Sequence, residues 1–143
     1  MQFEGWVIWA VMSAVFAALT AVLAKVGLEG INPDYATLVR CVVILGCLAA
    51  FVAATGKWVD PRSLAPRNWT FLVLSGLATG ASWVCYFRAL KVGDASRVAP
   101  VDKFSVVLVA VFATAFLGER PSLRDWGGIG LVTAGVLVLA WKR

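Results

Sequence analysis

The stretch that decides the fold is Tyr86–Glu119, YFRALKVGDASRVAPVDKFSVVLVAVFATAFLGE. Its first part ends one apolar run through Arg88, Lys91 and the breaker Gly93. Its second part opens another, with Pro100, Asp102 and Lys103 at or just inside the entrance, and from Phe104 to Leu117 no residue is charged. An uncharged run of that length between polar turns reads as a helix that crosses a bilayer. Charges at the edge of a lipid-facing helix are expensive, so Arg88, Asp102 and Lys103 each need a reason to be there.

Working outward, the run before this stretch is a span at residues 69–90. It holds Gly76-x-x-x-Gly80, flanked by Ser75 and Thr79, a spacing that lets helices approach closely. Trp83 lies mid-span, far from either interfacial aromatic belt, and Tyr86 follows three residues on. The span after Pro100 covers residues 98–117, and its start depends on whether Pro100 opens the helix or kinks it. Gly118, Glu119 and Arg120 stop it. Ser122 and Asp125 then form a capping-box variant that opens a last span at 123–141. Gly127, Gly128, Gly130 and Gly135 make that span the most glycine-rich, a helix suited to packing, and Lys142 and Arg143 close the chain.

Further out, Asn32-Pro33-Asp34 is a helix start: a capping amide, a proline at the first position and an acid in the first turn. It opens a span at 33–54. Arg40 lies seven residues into it, about 10 Å along the axis. A cation that close to a helix N-terminus gains nothing from the dipole, so no end effect accounts for Arg40. The first span, 5–26, carries Trp6 and Trp9 near its start and Ser13, Ala17 and Ala21 at every fourth position. Lys25 at its end is positioned to snorkel. Between the second and third spans, Asp60-Pro61 marks a short surface helix.

Composition agrees. The chain is 61% hydrophobic and only 15% charged, against the ~25% usual for soluble domains. This is an all-α integral membrane protein of five transmembrane helices, forming a single transmembrane domain with the lipid bilayer as its solvent. The net charge of +5 is spread between apolar runs rather than gathered on one face, so no nucleic acid is expected as a partner. Cys41, Cys47 and Cys85 fall inside spans without paired spacing and read as buried, inert thiols. With no histidine and no ligand spacing, no metal, cofactor or catalytic constellation is expected, and the chain does not read as an enzyme.

Five spans put the termini on opposite sides. One side carries Lys57, Arg62, Arg67, Arg120 and Arg124, five basic residues. The other carries Lys25, Arg88, Lys91, Arg97, Lys142 and Arg143, which is six, or eight with Arg40 and Lys103. The positive-inside rule needs a clearer bias than five against six to set one orientation. Either the chain inserts both ways up and pairs with an inverted copy, or details outside this count choose one orientation.

At YFRALKVGDASRVAPVDK, at the Leu117–Arg120 "LGER" and at the GxxLVxAGVxxLA pattern of Gly128–Ala140, the chain resembles the drug/metabolite transporter superfamily. Within it, the chain looks like the short five-helix members of the EamA-like group. Longer members hold two such halves in inverted orientation. The resemblance therefore implies one half of an inverted-repeat transporter fold in the plasma membrane, completed by an antiparallel homodimer and working by alternating access on a small metabolite or drug-like solute. The small multidrug resistance branch of the superfamily uses a membrane-embedded glutamate in its first span. This chain has no acid between Gly5 and Ala24, so that cation route is not implied here.

By the span count Arg40, Arg88, Asp102 and Lys103 lie toward one membrane side. Asp102 can ion-pair with Arg40 across the second and fourth spans, leaving Lys103 or Arg88 to meet an anionic or zwitterionic solute; the expected solute site is Arg40, Asp102 and Lys103 lining a vestibule, with Trp83 and Tyr86 as aromatic walls deeper in. Two plainer readings stand beside it. If Pro100 begins its helix, Asp102 is a first-turn acid and Lys103 snorkels. And the chain could be a non-transporting subunit that packs against a larger membrane partner.

Overall fold

The computed structural model describes residues 5–141; Lys142 and Arg143, counted above as flanking charges, lie outside them. Those residues form α1 (Gly5–Gly27), α2 (Pro33–Ala54), α3 (Pro66–Val92), α4 (Ala95–Asp102), α5 (Ser105–Phe112) and α6 (Leu123–Ala140), with no strand among them. A 3₁₀ turn occupies Pro61–Ser63, and a π turn at Ala113–Leu117 continues α5. Taking α4 through the π turn as one interrupted segment, Ala95–Leu117, five segments of 18 to 27 residues are long and apolar enough to cross a bilayer. The fold is that of an all-α membrane protein.

The helix starts follow from local chemistry. Asn32 Oδ1 accepts from the Asp34 N–H at 2.8 Å and the Tyr35 N–H at 3.3 Å, and Pro33 takes the first helical position, where no N–H is needed. Asp60 Oδ1 accepts from the Arg62 N–H at 2.9 Å and opens the 3₁₀ turn. Trp69 Nε1 donates to Pro61 O at 3.0 Å, folding that turn back on the first residues of α3. At α6 both halves of the capping box are made: Ser122 Oγ accepts from the Asp125 N–H at 3.2 Å, and Asp125 Oδ2 accepts from the Ser122 N–H at 2.8 Å.

The fourth span is broken. Its helix begins at Ala95, so Pro100 lies inside α4 rather than at its start. Proline has no N–H to return to the carbonyl four residues back, and its ring crowds that carbonyl. Just beyond it the chain tightens. Lys103 and Phe104 bond to the carbonyls three residues back, Pro100 O and Val101 O, each at 3.0 Å, before α5 resumes. At the far end Gly118 takes a left-handed conformation, φ +69°, and the Glu119 N–H reaches back to Ala113 O at 3.2 Å, closing the π turn.

The chain divides into two compact units. In the unit Leu23–Val92, α2 packs along α3, and Leu28, Phe87 and Leu90 are 2%, 3% and 0% exposed. Its α1 and α3 ends are tied by an exchange of lysines. Lys25 Nζ donates to Leu90 O at 2.7 Å, while Lys91 Nζ donates to Leu28 O at 2.6 Å and Ile31 O at 3.1 Å. Each ammonium meets carbonyls at the end of the other helix, where the dipole favours a cation. Lys25 is thus held by the protein rather than simply reaching for headgroups. In the unit made of residues 5–22 and 93–141, α4 and α5 pack on α6, with Ala113 and Val136 buried.

Elsewhere the large apolar side chains face outward, among them Phe16, Leu45, Phe71, Leu77 and Leu131. In water such a surface would be a liability; in hydrocarbon it costs nothing. Cys41 is half-buried while Cys47 and Cys85 point outward, so lipid rather than a protein core surrounds those two thiols. The glycines are open as well. A Cβ added at Gly76, Gly80, Gly127, Gly128, Gly130 or Gly135 would meet nothing within 4 Å among the described residues.

Candidate functional site

The polar chemistry of the Leu23–Val92 unit gathers where the start of α2 meets the end of α3. On α2 Asp34, Thr37 and Arg40 follow one another at three-residue steps, and on α3 Trp83 and Phe87 stand one turn apart. Two interactions join these helices. Arg88 grips Asp34 with two parallel bonds, Nε to Oδ1 and Nη2 to Oδ2, both 2.8 Å. Six residues further along α2, the Arg40 guanidinium lies 4.6 Å from the Trp83 ring centroid and 5.3 Å from that of Phe87. A planar cation on ring faces is stabilised by their quadrupoles, worth ~0.5–2 kcal/mol depending on how dry the contact is. Tyr86 stands beside this pair, its ring edge-on to Phe87 with centroids 6.4 Å apart.

The electrostatics are uneven. Asp34 is taken up by Arg88, and among the described residues of this unit no carboxylate comes within 4 Å of Arg40. Arg40 is therefore a half-buried cation held by π faces alone, with its hydrogen-bond donors unspent on any acid of its unit. That arrangement can receive an anion.

Asp102 and Lys103 belong to the other unit, at the break in the fourth span. Asp102 is the last residue of α4, and its carboxylate lies 3.7 Å from the ammonium of its neighbour Lys103. The first-turn reading of Asp102 is set aside by this geometry. At a helix C-terminus the dipole disfavours an anion, and the adjacent Lys103 offsets it. Of the five residues expected at a solute site, the structure thus places Arg40, Trp83 and Tyr86 in one cluster and Asp102 with Lys103 in a second.

Residues 4–141 match the family model described as the EamA-like transporter family. The chain belongs to that family. It is a multi-pass protein of the plasma membrane, and its family is described as one of transporters. It is 60% identical over 137 residues to a Sinorhizobium protein named "uncharacterized transporter in cobO 3'region", covering 96% of this chain and 97% of that one. A Bacillus subtilis protein named "uncharacterized transporter YxxF" is 28% identical over 138 residues, and there the chain spans only 43% of the relative's length. A Yersinia pestis protein named as a probable 4-amino-4-deoxy-L-arabinose-phosphoundecaprenol flippase subunit, ArnE, is 30% identical over 108 residues, 73% of this chain and 94% of that one. No solved structure matches the chain.

Spacing in the sequence does not single out Phe87 or the Asp34–Arg88 pair. Phe87 is one apolar residue among many; its one signal is the four-residue step from Trp83. Asp34 and Arg88 read separately as a first-turn acid and a helix-end anchor. Their opposite charges at span ends on the same membrane side were the available hint.

Proposed function

We propose that the chain carries a small metabolite or drug-like solute bearing an anionic group, by alternating access, as an antiparallel homodimer. The observation that carries this reading is the Arg40 guanidinium, braced by Trp83 and Phe87 and unmatched by an acid of its unit. A solute carboxylate or phosphate would complete the charge, and the rings would cover its organic part. Asp102 and Lys103, at a break of the kind transporters place beside their solute path, are the second contact in this reading. Pairing is supported by three facts: the near-even charge count, the open glycine faces, and a relative for which this chain matches 43% of the length. Two such chains, one inverted, would supply the two halves.

The test is uptake by purified protein in vesicles across a panel of anionic, zwitterionic and cationic solutes. Arg40→Ala should abolish uptake of the active solute while leaving expression and dimerisation intact, and Arg40→Lys should restore only part of it, since an ammonium cannot present the flat fork. Wild-type uptake by Arg40→Ala would remove Arg40 from the site. A second reading is supported by the Yersinia relative's name, flippase subunit. In that reading the chain is a non-transporting subunit that packs through the same glycine faces against a larger membrane protein. It would then move no solute alone and would co-purify in fixed ratio with that partner.

A further inference from the structure

The unit of residues 5–22 and 93–141 holds a cavity of about 420 Å³ that the solute site does not use, lined by Val106, Val109, Ala110 and Ala113 with Ile129, and headed by Glu119, Arg120 and Asp125. Its walls follow from helix periodicity. Positions 106, 109, 110 and 113 fall on one face of α5 and its π turn, while Asp125 and Ile129 are one turn apart on α6. Ala110 and Ala113 are too small to fill the space between the helices. The left-handed Gly118 then carries the chain across the top, leaving Glu119 and Arg120 at the rim.

The two ends differ in chemistry. From Ala113 down to Val106 the trough is purely apolar and runs about 10 Å along the axis, the depth of an acyl chain segment below the headgroups. The rim sits at the ends of two spans, where headgroups lie. Its charges are open: neither Glu119 nor Arg120 has an ion-pair partner among the described residues, although they are neighbours. Asp125 is engaged through Oδ2 with Ser122 in the capping box and is less available. An apolar trough beneath one free carboxylate and one free guanidinium matches a ligand with a hydrocarbon tail, a phosphate and an ammonium.

We infer that this groove holds one bilayer phospholipid with a primary-amine headgroup, its phosphate on Arg120, its ammonium on Glu119 and one acyl chain along Val106–Ala113. Such a lipid would wedge α5 against α6 and hold the fourth span at its far end.

The experiment is native mass spectrometry of the full chain released from vesicles of equimolar phosphatidylethanolamine, phosphatidylglycerol and phosphatidylcholine. The expected result is a one-lipid adduct enriched in phosphatidylethanolamine over phosphatidylglycerol by about fivefold, the ratio one partly exposed ion pair supplies. Glu119→Gln should erase that preference while keeping an adduct. Arg120→Gln should weaken adducts of all three lipids alike, because all three carry the phosphate. Ala110→Trp, which fills the trough, should remove the adduct whatever the headgroup, with helix content by circular dichroism confirming that the chain still folds. Equal amounts of the three lipids on the wild-type chain, no adduct at all, or an unchanged preference in Glu119→Gln would each overturn the assignment.

Discussion

Among the described residues of its unit Arg40 is braced by rings and by no acid, and the rings are therefore as much a target as the cation. Trp83→Leu keeps apolar bulk on α3 but removes the better of the two π faces. It should lower stability by about 1 kcal/mol, measured by the thermal midpoint in detergent, and should raise the KM of uptake more than it lowers kcat. A change confined to stability would leave Trp83 as packing. The Asp34–Arg88 pair makes a different demand. Its two bonds are matched in geometry, so Asp34→Ala and Arg88→Ala should each lower the thermal midpoint, and the exchanged double variant Asp34→Arg/Arg88→Asp should recover part of the loss. No recovery would mean that each residue acts through its own helix end. Arg40 was legible from the sequence because its depth in a helix defeats every end effect. Its partner Phe87 was not, and neither was the meeting of Asp34 with Arg88, 54 positions apart. Sequence spacing shows which residues share one helix face but not which faces of two helices meet.

At the scale of one element, the fourth span is the informative case. That it exists was plain from Phe104–Leu117; that it breaks was not, because proline serves equally at a helix start and inside a kink. Both roles put the start of the span near Pro100, so the sequence could not say which turn comes first. The structure begins the helix at Ala95 and sets the break at Lys103–Phe104. Pro100→Ala restores the missing donor and should fuse α4 to α5, stabilising the span by as much as ~3 kcal/mol. Hydrogen exchange at the Lys103 and Phe104 amides should slow. If transport bends the span here, uptake should fall even as stability rises; uptake that rises with stability would show that the break is merely tolerated. Gly118 offers the opposite change. With φ at +69°, Gly118→Ala puts a Cβ into a left-handed conformation and should cost about 1–2 kcal/mol, read as a lower thermal midpoint.

For the whole molecule, the open glycine positions matter most. Five apolar segments could be read directly from composition, but the small-residue faces on them gave no indication whether they close on this chain or on another. Among the described residues a Cβ at Gly76 would meet nothing within 4 Å, which is why Gly76→Leu is a clean probe. The side chain has room in the monomer and improves helix propensity by up to ~1 kcal/mol, so the fold should survive while the dimer fraction in native-like bilayers falls. Orientation is the last question, and the balance of basic residues makes it testable. Val59→Lys, Ser63→Lys, Ala65→Lys and Asn68→Lys together raise one side from five basic residues to nine against six and should hold that side in the cytoplasm. Lys57→Ala with Arg62→Ala lowers it to three and should hold the chain the other way up. C-terminal reporters should then give a one-sided signal for each variant, and opposite sides for the two. If transport needs an antiparallel pair, neither variant moves solute alone, because neither can supply an inverted partner, yet the two expressed together should recover uptake. A single locked variant transporting at the wild-type rate would rule out the inverted pair. It would also leave the open glycine faces to a partner of a different kind.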